Sequence, residues 1–151
     1  MILPDTNLLL YAIDRLCPDH DRAARWWETA LQANEPVLLC PVVVFAFLRL
    51  STHPRVFENP LRPNEAFDYI ENWLAFPSVA WGEPGPGHLA RVKALLLATG
   101  TGGNLVTDAQ IAALAAEHDA TIYSADADFS RFPNIRWTNP LREASSRGRG
   151  R

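Results

Sequence analysis

The chain has 151 residues, 48% hydrophobic and 21% charged, enough apolar material for one ordinary core and too little charge for a disordered polypeptide. Its net charge is −3, yet Arg142, Arg147, Arg149 and Arg151 against Glu143 put +3 near the end, leaving −6 for residues 1–139. So acidic a body excludes a nucleic-acid binder that works by electrostatics alone, and no apolar run approaches the ~20 residues of a membrane span.

Met1-Ile2-Leu3-Pro4-Asp5 carries no basic leader, and Cys17 and Cys40 form no CxxC or Cys/His spacing. A cytoplasmic protein with reduced thiols is therefore expected, with no membrane association. Residues 1–4 read as a strand ending at Asp5, and Pro4, which lacks a ladder N–H, places the end of the pairing there. Thr6 or Asn7 can cap a helix reaching Ile13. A second helix is predicted over Asp21–Ala33, burying Trp26, Trp27, Ala30 and Leu31. Val37–Cys40 is a strand, and Pro41 opens a helix over Val42–Ser51, where its missing N–H is no loss. A loop rich in proline and asparagine, His53–Asn64, leads to a helix over Glu65–Phe76 with Phe67, Ile70, Trp73 and Leu74 at helical spacing. Val79–Trp81 is a third strand, Gly82–Gly87 a turn and His88–Thr99 a helix. Gly100, Gly102 and Gly103 precede a helix that starts at Asn104 or at Thr107 and ends near His118. Thr121–Ser124 and Ile135–Trp137 are the last strands. Alternating strands and helices predict the α/β class, with a single domain over 1–140 and a basic, disordered tail over 141–151.

Four acids share one kind of context. Asp5 follows the first strand, Asp126 and Asp128 follow the fourth, and Asp108 lies near the start of the helix before it. In open α/β sheets, sites form at the carboxyl ends of strands and at helix starts, so acids about a hundred residues apart can meet in one crevice. Clustered carboxylates repel, and a divalent cation with hard oxygen ligands, Mg2+ or Mn2+, relieves that repulsion. Such a metal activates water and stabilises charge on a phosphoryl group, which favours phosphodiester hydrolysis. The competing reading makes each Asp a helix cap and Asp126 with Asp128 an Asx-turn. Spacing alone leaves the two readings level.

The chain resembles the PIN-domain family and, within it, the VapC ribonuclease toxins of toxin–antitoxin pairs. The resemblance runs from Ile2 to Trp137. It is carried by Leu3-Pro4-Asp5-Thr6-Asn7-Leu8-Leu9-Leu10-Tyr11-Ala12, by Phe47-Leu48-Arg49-Leu50-Ser51-Thr52-His53-Pro54-Arg55-Val56-Phe57 with Asn59-Pro60-Leu61, by Asn104-Leu105-Val106-Thr107-Asp108-Ala109, and by Ser124-Ala125-Asp126-Ala127-Asp128-Phe129-Ser130-Arg131-Phe132. It implies a three-layer α/β/α fold around a short, mostly parallel sheet of about five strands. It also implies a Mg2+-dependent endoribonuclease, with Mn2+ as a substitute, an RNA substrate, a cognate antitoxin that blocks the site, and a homodimer. By the same resemblance Asp5, Asp108 and Asp126 are metal-binding acids and Asp128 a supporting catalytic acid, with Thr6 or Ser124 holding the carboxylates. One departure stands out. Many members carry a glutamate just before Phe-Leu-Arg, where this chain has Ala46, which puts a second metal in doubt.

Arg49 and Arg55 can guide phosphates or pair with surface acids, and the basic tail can add RNA affinity or be a solvated end. His20, His53, His88 and His118 lack metal-ligand spacing and read as surface or capping residues. Trp26, Trp27, Trp73, Trp81 and Trp137 read as core, and apolar faces on Leu8–Ile13 or Phe45–Leu50 would suit a partner. An aspartyl-nucleophile phosphotransfer site is disfavoured: Asn7 stands two residues after Asp5 where a second acid is wanted, and the sole lysine, Lys93, lies in the His88–Thr99 helix. A catalytically weak or inactive RNA- or protein-binding module on the same fold is the alternative that Ala46 keeps open.

Overall fold

The computed structural model describes residues 1–142, so the expected tail from residue 143 onward lies outside the described residues. The strands are β1 (Ile2–Pro4), β2 (Val37–Leu39), β3 (Val79–Trp81), β4 (Thr121–Tyr123) and β5 (Trp137–Thr138). The helices are α1 (Thr6–Ile13), α2 (His20–Gln32), α3 (Pro41–Ser51), α4 (Pro63–Leu74), α5 (His88–Thr99) and α6 (Leu105–Glu117). The strands form one sheet in the order β3-β2-β1-β4-β5, and every neighbouring pair is parallel.

β1 and β2 are buried at every position, as continuous apolar runs in the middle of a covered parallel sheet should be. β3 is an edge strand and its Trp81 is 41% exposed, which overturns the expectation that this tryptophan packs in the core. Chain order moves from β1 to β2 to β3 in one direction and then returns past β1 to β4. Right-handed crossovers put the helices of the outward and return connections on opposite faces, giving α1–α4 on one side and α5 with α6 on the other. Packing agrees: Trp73 of α4 meets Trp27 of α2 and Phe47 of α3 edge-on, with ring centroids 5.5 Å and 5.1 Å apart. Beneath α6, Ile111, Ala112, Ala113 and Leu114 are buried, and the run of alanines lets the helix lie close to the sheet.

Several boundaries shift for local reasons. α1 is capped by Asp5, whose Oδ1 accepts the Thr6 N–H at 2.7 Å, and not by Thr6 or Asn7. α4 begins at Pro63 because proline suits the first turn, and Glu65 reaches back to the Arg62 N–H at 3.0 Å. α6 starts after Asn104, so Thr107 lies inside the helix. β5 begins at Trp137, after Asn134 turns the chain at φ 60°. Ile2 donates to Pro36 and Asp5 to Tyr123, so by alternation Pro4 faces β2, where its missing N–H ends the pairing. On the β4 side the ladder runs one residue past Pro4, to Asp5 itself. Leu141, which the sequence reading placed in the tail, is buried against Leu8 and Ala23.

Candidate metal centre

The crevice lies where chain order reverses, between β1 and β4, because the connections leaving these neighbours go to opposite sides. Asp5 leaves the end of β1, Ser124 and Asp126 leave the end of β4, and Asp108 sits in the first turn of α6. One carboxylate oxygen from each of Asp108, Asp126 and Asp128 lies within 4.8 Å of the others. Asp5 is not in that trio. It sits behind it, 8% exposed; its charge raises the Asp108 carboxyl, and the charge of Asp126 in turn raises its own. The sequence reading thus finds its four acids in one neighbourhood, with Asp128 closer to the centre than a supporting role required.

The carboxylates are held in different ways. Asp5 Oδ1 takes the Thr6 N–H and Oδ2 takes the Ser124 hydroxyl at 2.6 Å. The Thr6 hydroxyl turns away to the Val43 carbonyl at 3.3 Å, so of Thr6 only the backbone supports the acid. Ser124 Oγ also accepts the Asp126 N–H at 2.9 Å, and Asp126 Oδ1 accepts the Asp128 N–H at 2.8 Å. Asp5 therefore caps α1 and Asp126 caps the short 3-10 helix Ala127–Arg131, while Asp126 also faces Asp108 and Asp128. The sequence offers Asn7 as a possible cap, as part of the opening motif and as the non-acid two residues after Asp5, and assigns it no contact with the acids. Its side-chain amide donates to Ser124 Oγ at 3.3 Å, and its Oδ1 is buried without a partner among the described residues. The signal available was its position two residues after Asp5.

The electrostatics express the crowding. Burial raises the Asp108 carboxyl first, and the charges of Asp5, Asp126 and Asp128 raise it further, to about 7, with no hydrogen bond among the causes to offset them. Asp5 is also raised, by burial, against the lowering effect of Ser124 and the Thr6 N–H, with Asp126 adding repulsion. A group of hard oxygen donors that oppose one another's charge is the donor set a divalent cation fits. The cavities found elsewhere, such as one of 280 Å³ between Ala115, Asp119 and Arg136, lack such a group.

Ala46 lies on α3 where the family's glutamate often stands, and it is partly exposed. Arg49 and Arg55 are exposed and make no ion pair among the described residues. The four histidines are occupied by ordinary contacts: His20 with the Tyr11 carbonyl, His53 with the Arg55 N–H, His88 with Glu117 and His118 with the Glu83 carbonyl. Trp27 and Trp73 are buried as read from the sequence, whereas Trp26 and Trp137 are half-buried. Of the two apolar helical faces considered for a partner, Leu8, Leu9 and Leu10 are buried while Phe45 is 62% exposed. Lys93 is exposed on α5.

Comparison with known proteins supplies the family. The PIN-domain family profile matches residues 2–135. Ribonuclease VapC33 of Mycobacterium tuberculosis is 43% identical over 143 residues, covering 95% of this chain and all of the relative. Among solved structures, Mycobacterium tuberculosis VapC20, described as a sarcin–ricin loop cleaving toxin, shares the fold with a TM-score of 0.67 at 19% identity. That likeness covers 90% of this chain and 99% of the other. VapBC2 from Rickettsia felis, bound to a DNA fragment from its promoter, gives a TM-score of 0.66 at 20% identity, over 92% of this chain and 98% of that one. No helix among the described residues is long and apolar enough to cross a membrane. The profile match over most of the chain and the 43% identity over its length show that the chain belongs to the PIN-domain family and, within it, to the VapC ribonucleases.

Proposed function

We propose that this chain is a Mg2+-dependent endoribonuclease, with Mn2+ able to substitute, that acts as the toxin of a toxin–antitoxin pair. One observation carries the reading: Asp108, Asp126 and Asp128 bring carboxylate oxygens within 4.8 Å of one another beside the buried Asp5. An RNA phosphate is repelled by such a cluster unless a cation intervenes. Bound there, a divalent cation would supply Lewis acidity and an activated water. Asp108, Asp126 and Asp128 would hold it, and Asp5, fixed by Ser124 and the Thr6 N–H, would complete the negative wall. With Ala46 on α3 no acid is contributed from that helix, which favours a single cation. Exposed Arg49 and Arg55, free of ion pairs among the described residues, are available to phosphates outside the acidic centre.

From its membership of the VapC ribonucleases we assign the chain a cognate antitoxin that blocks the site, and place it in the cytoplasm as a homodimer. The test is cleavage of transfer and ribosomal RNA by the purified protein in Mg2+, in chelator, and after Mn2+ is restored. Chelator should stop cleavage and either metal should restore it. Full activity in chelator, or undiminished cleavage by Asp108→Asn and Asp126→Asn, would rule the reading out. Binding of RNA without cleavage in Mg2+ would support the inactive-module alternative that Ala46 suggests.

A further inference from the structure

Asn7 has a place in the site that its helix does not explain. It lies in the first turn of α1, yet its side chain reaches across to the loop after β4, 117 residues away in sequence, and donates to Ser124 Oγ at 3.3 Å. Ser124 is fully buried, and its hydroxyl has one hydrogen and two lone pairs. Both lone pairs are filled by N–H donors, the Asn7 amide and the Asp126 backbone, so the one hydrogen must go to Asp5 Oδ2, where it lies at 2.6 Å. The backbone of Ser124 is equally constrained: its N–H donates to Thr138 and its carbonyl accepts the Trp137 indole at 3.2 Å.

The other end of the Asn7 amide is unsatisfied. Among the described residues Oδ1 is buried with no donor, a cost to the fold that an apolar side chain of the same shape would not incur. An amide under those conditions is poorly explained by stability and well explained by what its nitrogen does. Asp5 and Asp126 stand at the ends of neighbouring strands and repel each other, and among the described residues Ser124 is the one side chain bonded both to the Asp5 carboxylate and to the Asp126 backbone.

We propose that Asn7 is a positioning residue of the metal centre, bracing Ser124 so that Asp5 and the Asp126 loop keep their separation before a cation arrives. Its role is exerted through Ser124, the side chain its amide touches. The inference rests on the metal-centre reading above, and its consequence is preorganisation: with the brace gone, the carboxylates drift apart under their own repulsion and cation binding must gather them again.

The experiment is a double-mutant cycle of Asn7→Leu and Ser124→Ala on the full chain, read by Mn2+ affinity from titration calorimetry, by melting temperature in chelator, and by kcat and KM for RNA. Asn7→Leu should weaken Mn2+ binding about tenfold, within the range for residues that orient ligands, while the melting temperature holds or rises. kcat should fall by a similar factor and the KM for RNA stay put. The double variant should bind Mn2+ no more weakly than Ser124→Ala alone, because the two residues act in series. Wild-type Mn2+ affinity in Asn7→Leu, additive losses in the double variant, or a fall in melting temperature that accounts for the lost affinity would each overturn the brace. Absence of Mn2+ binding by the unsubstituted protein would instead overturn the metal centre itself.

Discussion

Asp108→Asn is the perturbation that tests the electrostatics of the centre without relying on catalysis. In the free site the Asp108 carboxyl is pushed from 3.8 to about 7, by burial and by three neighbouring carboxylates. For an acid, a raised value in the fold means the folded state binds the proton more tightly than the unfolded chain. Stability is therefore penalised as pH rises from about 4, and the penalty is complete above about 7. The full difference corresponds to about 4 kcal/mol. Asp108 is only half-buried, and solvent and counter-ions bring the expected figure to about 2 kcal/mol. Asparagine keeps the shape and removes the charge. In chelator at pH 8, Asp108→Asn should therefore melt about 4–8 °C above the unsubstituted protein, and the gap should close toward pH 4. Mn2+ should stabilise the unsubstituted protein at pH 8 and leave the variant almost unmoved, since the variant lacks a ligand. A variant no more stable than the parent in chelator at pH 8, or a gap independent of pH, would refute the crowding argument.

Asp5 separates its two roles by substitution. Asp5→Asn preserves the cap on α1, gives up the Ser124 bond together with a buried charge, and should lose RNA cleavage; Asp5→Ala should lose cleavage too and fall below Asp5→Asn in stability by about 1 kcal/mol through the missing cap. Equal melting temperatures for the two variants would contradict the capping role. At Gly82, the N–H is bonded to Leu39 O and an added Cβ would come within 2.7 Å of the buried Leu38 side chain. Gly82→Ala should cost about 1–3 kcal/mol in chemical denaturation and leave cleavage intact below the melting temperature; a neutral effect would show that Leu38 can retreat.

The elements were largely legible from residues alone, because hydrophobic period, caps and turn residues act within a few positions. The apolar runs of β1 and β2, Pro41 at the start of α3 and the glycines ahead of α6 each announce themselves locally. Asp5, Asp108, Asp126 and Asp128 were readable as a group for the same reason: each sits at a strand end or a helix start. The exposure of Trp81 was not, since being on an edge strand is a property of sheet order.

What tertiary structure alone decided is who touches whom. The register that sets Pro4 opposite Tyr123 brings Asp5 level with Ser124, and from that follow the hydroxyl bond, the Asn7 contact and the placing of Asp5 behind the trio. Local sequence chose the carboxylates and where on each element they stand. Their distances, and so their mutual repulsion and appetite for a cation, arise from long-range packing, because Coulomb forces depend on separation in space and the chain alone does not set it.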